Sequence, residues 1–192
     1  MTLLFQHTSD ANTARAFASL KDTFPSWEEV AAARVEEVAD AIRSGGLADQ
    51  KAPRIKAILA EVAEREGAYD LGRLESMDDA EAERYLCSLP GVGPKTAACV
   101  LLFSLGRAAF PVDTHVHRIA LRLGLVDAGA TAEETARRLG PKVPPELRYE
   151  LHMQLIRHGR EVCRARAPHC SGCVLFDLCP TGARLPASDG AV

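Results

Sequence analysis

An all-α fold is what this sequence predicts, and three observations carry the prediction. Apolar residues recur at helical spacing, Ser or Thr stands three positions before Glu in capping-box arrangement, and no convincing alternating strand can be found. The first helix is expected over 10–21. The next stretch, SWEEVAAARVEEVADAIRSGG, opens with Ser26 and Glu29 in a capping box. It repeats apolar positions at Val30, Val35, Val38 and Ile42 and stops at Gly45-Gly46, so it reads as one helix. Further helices follow at 52–66, 78–88 and 94–105, the last with Pro94 at its first position, where a missing N–H does no harm. After these come 114–123 and then 131–139, which Thr131 and Glu134 cap. Pro141, Pro144 and Pro145 punctuate the connection to a helix at 146–159. There is no internal repeat of solenoid length.

Composition narrows the function classes. The chain of 192 residues has 26% charged residues and no run approaching the roughly 20 apolar residues of a membrane span. Its start, MTLLFQHTSD, lacks the basic and apolar regions of a secretory signal, so a cytosolic location is expected. The net charge of −3 hides an asymmetry. Residues 1–83 hold 9 Lys/Arg against 17 Asp/Glu, whereas residues 84–170 hold 13 against 7. A basic segment of this kind points to a polyanionic partner.

Inside the basic segment lies LPGVGPKTA, residues 89–97. It lacks P-loop spacing, and no strand precedes it, so neither nucleotide-binding reading applies. What remains is helix, tight turn, helix. Gly91 and Gly93 permit unusual φ and close backbone approach, and the amides of such a turn, with Val92 between the glycines, suit a phosphate. Lys95 follows in the first helical turn, where a cation faces the positive end of the helix macrodipole, an arrangement that favours the free amine a Schiff-base nucleophile requires. Asp113, in FPVDTHVHRIALRL, takes an N-cap position before the next helix and is thereby fixed in direction.

Six cysteines are unevenly placed. Cys87 and Cys99 sit singly in apolar helical contexts and read as small core residues. Cys163, Cys170, Cys173 and Cys179 follow the pattern C-x6-C-x2-C-x5-C. Clustered thiolates in a cytosolic chain suggest a metal, and spacing alone leaves both zinc and an iron-sulfur cluster open.

Taken together, LPGVGPKTA and PVDTHVHR resemble the helix-hairpin-helix and Gly/Pro-Asp signature of the endonuclease III family of DNA glycosylases, and the resemblance runs from about Gln6 to Cys179. It implies that Lys95 is the nucleophile and Asp113, 18 positions on, the catalytic aspartate. His115 matches the family's VDTH and is expected beside the site; His158, in RHGREVC, is expected to pack near the first cluster cysteine. The cysteine spacing matches the family's 4Fe-4S cluster, with a mainly structural role. Arg164 and Arg166, in the loop RARAPH, are then placed to meet phosphates, as is His169. Gln6 in LLFQHTSD and Leu47 in SGGLADQKAP match the residues with which the family fills the gap left by a flipped base.

The same resemblance implies a helical barrel domain over 1–107 containing the hairpin and a cluster domain over 108–192, flanking a DNA-binding cleft. It implies a monomer, cytoplasmic and associated with the nucleoid, acting on double-stranded DNA with damaged bases or abasic sites and making no membrane contact. The expected activity is a bifunctional glycosylase and abasic-site lyase for oxidised pyrimidines. The family's additional N-terminal helix has no counterpart before Gln6, and His7 and Ser9 replace residues commonly small and acidic, so the substrate range is expected to differ from the family norm. Two alternatives stand beside this reading. A monofunctional mismatch glycosylase would lack a lysine at the position of Lys95, and a non-catalytic DNA-binding module would use it only to touch phosphate.

Overall fold

A computed structural model of the chain describes Leu4, Thr8 and residues 10–182. Among these residues every regular element is helical and none is a strand, so the fold is all-α as the sequence predicts. The α-helices are α1 (Asp10–Thr23), α2 (Trp27–Ala32), α3 (Val35–Ala41), α4 (Ala48–Glu66), α5 (Asp79–Cys87), α6 (Pro94–Phe103), α7 (Thr114–Arg122), α8 (Ala132–Leu139) and α9 (Arg148–Glu161). None is long and apolar enough to cross a membrane. The chain divides into two compact units, Met1–Val100 and Leu101–Val192, the division falling inside α6.

In the first unit the core gathers Ala16 and Leu20 of α1, Val30 of α2, Val38 of α3, Ile42, and Ala52 and Ile55 of α4. The single helix expected from Ser26 to Gly45 is in fact two. Ala33 and Arg34 are extended, with ψ of 156° and 152°. Two interactions stabilise the break. The Glu37 carboxylate accepts the Arg34 amide at 2.9 Å and its guanidinium at 3.0 Å, which starts α3 afresh. From α4, Lys56 Nζ reaches back to the carbonyls of Ala31, at 2.6 Å, and Ala33, supplying donors that the end of α2 lacks. The fourth helix also begins a turn before the expected residue 52, so Pro53 lies inside it and removes one helical backbone bond, to the Asp49 carbonyl.

The second unit is built on α7 packed against α9. Val116 and Ala120 join Phe110, Val112, Val126 and Leu139 in its core, with Leu151, Leu155 and Ile156 of α9 against them. The polar residues of α7 are thereby left for other work.

Candidate active site and cysteine centre

The hairpin turn is built as its glycines require. After α5, buried Leu89 anchors the corner, and the Val92 amide closes it on the Leu89 carbonyl at 3.1 Å. Gly91 has φ +72°, and a Cβ there would lie 3.3 Å from Arg54 Cδ, so both conformation and space favour glycine. The Ala97 amide returns to the Gly93 carbonyl at 2.9 Å and starts α6 with Pro94 and Lys95 in its first turn. Gly91, Gly93 and Lys95 are exposed, while Thr96, Ala97 and Cys99 of the same helix are buried. A cation thus stands in solvent where the amides of the turn and the dipole of α6 form an electropositive end.

Asp113 belongs to the second unit. It caps α7 from extended backbone, with Oδ1 accepting the amides of His115 at 2.9 Å and Val116 at 2.8 Å. Among the described residues Oδ2 has no partner, so the carboxylate is fixed by one oxygen and presents the other. The loop before it is tied to α9: Arg148 donates to the Ala108 carbonyl and buried His152 donates from Nδ1 to the Pro111 carbonyl at 2.9 Å.

His115 follows Asp113 by two positions and donates its amide to Oδ1. Its Nδ1 faces Arg118 Nη2 at 3.1 Å, and a guanidinium only donates, so Nδ1 is the acceptor. Arg118 also donates to the Gly159 carbonyl at 2.8 Å and to the Cys163 carbonyl at 2.8 and 3.0 Å. One side chain therefore joins the aspartate's helix, α9 and the first of the clustered cysteines. Sequence reasoning missed Arg118, Arg148 and His152; the i, i+4 spacing of the last two on α9 was their one sequence-level sign.

Cys163, Cys170, Cys173 and Cys179 line a single cavity, walled by Ile119, Leu123, Val162 and Phe176. The Cys170 thiol is pushed above its ordinary value by burial and by the other three cysteines. Arg122 Nη1 donates to Cys163 Sγ at 3.2 Å and to the Arg164 carbonyl at 2.7 Å, while Nη2 donates to the Ala165 carbonyl at 3.1 Å. The Gly182 amide donates to Cys179 Sγ at 3.3 Å. His158 borders the cavity with Nε2 3.6 Å from Cys173 Sγ, and burial pushes its imidazole below the ordinary value. Among the described residues no three His, Cys, Asp or Glu close up as they would around one metal ion.

Of the remaining expected residues, Arg164 and Arg166 are exposed on the loop between the first two cysteines. Leu47 caps α4 from left-handed backbone and is 45% exposed. Gln6 lies outside the described residues, as do His7 and Ser9.

Similarity to known proteins runs along most of the chain. Residues 1–145 match the HhH-GPD superfamily of base excision DNA repair proteins. A protein of Arabidopsis thaliana named as a DNA glycosylase is 44% identical over 158 residues, 82% of this chain and 54% of that protein, so the chain spans about half the length of this relative. Endonuclease III of Thermotoga maritima is 37% identical over 179 residues, 93% of this chain and 79% of that protein. Among solved structures, endonuclease III trapped as a covalent intermediate with DNA has a TM-score of 0.83 at 31% identity, with 95% of this chain and 81% of that chain covered. The chain belongs to the HhH-GPD superfamily of base excision DNA repair proteins.

Proposed function

We propose that the chain is a bifunctional DNA glycosylase and abasic-site lyase that removes oxidised pyrimidines, such as thymine glycol, from double-stranded DNA. The observation that carries this reading is Lys95: an exposed lysine in the first turn of α6, immediately after the glycine turn. A monofunctional enzyme has no need of an amine there. The covalent intermediate solved for endonuclease III, similar to this chain, is in keeping with it.

In this reading the amides of Gly91, Val92 and Gly93 hold a phosphate, and the damaged nucleotide is turned out of the stack. Gln6 and Leu47 fill the gap it leaves, and Arg164 and Arg166 meet phosphates further along. Asp113, held by its cap bonds, stabilises positive charge on the sugar as the C1′–N bond breaks and the base leaves with a proton. The Lys95 amine bonds to C1′. Loss of its protons and opening of the C1′–O4′ bond, with O4′ taking a proton, give the Schiff base. Removal of a C2′ proton then breaks the C3′–O bond and cuts the strand on the 3′ side. Water finally hydrolyses the imine and returns the amine.

The four cysteines would hold a 4Fe-4S cluster. The C-x6-C-x2-C-x5-C spacing, which resembles that of the endonuclease III family's cluster, and the one cavity that the four side chains line support this reading. When bound, the cluster supplies iron–thiolate bonds that keep the 163–179 segment folded, and this chain's own residues carry the reaction. The barrel and cluster domains are read as 1–107 and 108–192, and the protein as a cytoplasmic, nucleoid-associated monomer.

Strand nicking of an abasic duplex tests the proposal. Cleavage that persists in Asp113→Asn at reduced rate and vanishes in Lys95→Gln supports it. An abasic duplex bound but left intact by the native chain would make the protein a binding module.

A further inference from the structure

Lys51 of α4 is 4% exposed, and among the described residues no carboxylate pairs with it. A buried ammonium without a counter-charge is costly and is retained only where its donors are well used. Here they hold two separate stretches of chain. Nζ donates to the Gly45 carbonyl at 2.9 Å and to the Leu4 carbonyl at 3.0 Å. The Lys51 backbone amide meanwhile donates to the Leu47 carbonyl at 2.9 Å. One residue therefore brackets the Gly46-Leu47 turn from both sides.

That turn is strained in a way packing does not explain. Gly46 and Leu47 have consecutive positive φ, 68° and 53°, and left-handed backbone is unfavourable for a leucine. The leucine so held is 45% exposed and is not among the residues of the first unit's core. Leu4, at the other end of the Lys51 bridge, is 2% exposed and receives a second bond from Thr13 Oγ1 at 3.2 Å. It lies two positions before Gln6 in the sequence.

We propose that Lys51 is a positioning residue that ties the Leu47 turn to Leu4 and so holds Leu47 in register to enter the duplex when a base is turned out. The inference rests on the reading of Leu47 given above. Buried as it is, Lys51 acts through these residues and touches no DNA itself.

The test compares Lys51→Met, Lys51→Gln and Leu47→Ala with the native chain. Two substrates are used: a thymine glycol duplex with 2-aminopurine beside the lesion, and an abasic site opposite a gap, which needs no base extrusion. Lys51→Met should lose excision of the paired lesion about 10- to 100-fold more than it loses nicking of the gapped abasic site, the scale expected of a small misplacement. The 2-aminopurine signal of base extrusion should fall with it, as in Leu47→Ala, and the double variant should be no worse than the poorer single. Equal losses on both substrates in a folded Lys51→Met, or an unchanged 2-aminopurine signal, would overturn the proposal. If Lys51→Met does not fold, Lys51→Gln, which keeps two N–H donors on a shorter stem, should show the same discrimination in weaker form; if neither folds, the role is structural and the proposal fails. A Leu47→Ala variant with native extrusion overturns the reading of Leu47 beneath it. Failure of the native chain to nick either substrate, with extrusion intact, sinks the lyase assignment and leaves the positioning role supported.

Discussion

Gly159→Ala sets two effects of opposite sign against each other in the second unit. Within a helix, alanine is favoured over glycine by about 1 kcal/mol. The new methyl group, however, would stand 2.8 Å from both Cβ and Nδ1 of His115 and 3.1 Å from its Cγ. His115 cannot yield cheaply. Its Cβ is fixed to the backbone of α7, and its ring is held by Arg118, which also binds the Gly159 carbonyl. Overpacking of this kind costs about 1–3 kcal/mol, so the clash outweighs the helix gain. A net loss of about 1 kcal/mol corresponds to a fall of about 2–4 °C in Tm for a chain of this size. Relief requires α7 to move away from α9, which carries the Asp113 cap with it, so base excision should fall more than abasic-site binding. Thermal unfolding followed by circular dichroism, alongside single-turnover excision, checks both. Adding His115→Ala removes the ring but not the Cβ contact and should restore only part of the loss. A Gly159→Ala variant as stable as the native chain would refute the claim that this glycine is required by close helix contact.

Three further outcomes follow from the geometry. Gly91→Ala places a Cβ in left-handed backbone against Arg54 and should weaken binding to undamaged duplex at fixed salt; native affinity in a folded variant would remove the turn from the DNA interface. Arg122→Gln breaks bonds to Cys163 Sγ and to the Arg164 and Ala165 carbonyls, so the purified variant should carry less iron and lose its visible absorbance faster on warming; native iron content and decay would show the guanidinium to be dispensable. Tyr85 is pushed up to about 12 by burial and by its hydrogen bond to Glu66, so its phenolate absorbance should develop near that pH. Because the folded value lies above the ordinary one, the stability Tyr85 contributes is whole below about pH 10 and lost as pH climbs toward 12; alkaline melts of native and Tyr85→Phe should converge there, and parallel curves would contradict the burial of this phenol.

Much of the fold was legible because helix signals are local. Ser26 and Thr131 each accept the amide of the glutamate three positions on, the forward half of the expected capping box, and Asp113 caps α7 as its position before an apolar helix implied. The break between α2 and α3 was hidden, since half of its cause is Lys56, more than twenty residues away. Lys51 was invisible for a related reason: a lysine on an amphipathic helix reads as surface until the carbonyls around it are known. Arg118, Arg148 and His152 belong to the same class, because each acts on a backbone carbonyl some forty positions distant. The cysteine spacing pointed to a metal and left zinc and a cluster open; that the four side chains line one cavity, with Arg122 on Cys163 Sγ, was not legible in the sequence.

Borohydride trapping on a thymine glycol duplex, native chain against Lys95→Gln, tests the central claim most directly. A covalent protein–DNA adduct that forms with the native chain and is absent from the variant is the predicted result, joining the lysine, the Schiff base and the lesion class in one observation. An adduct of equal yield in Lys95→Gln, or none from the native chain on either a lesion or an abasic duplex, would contradict it.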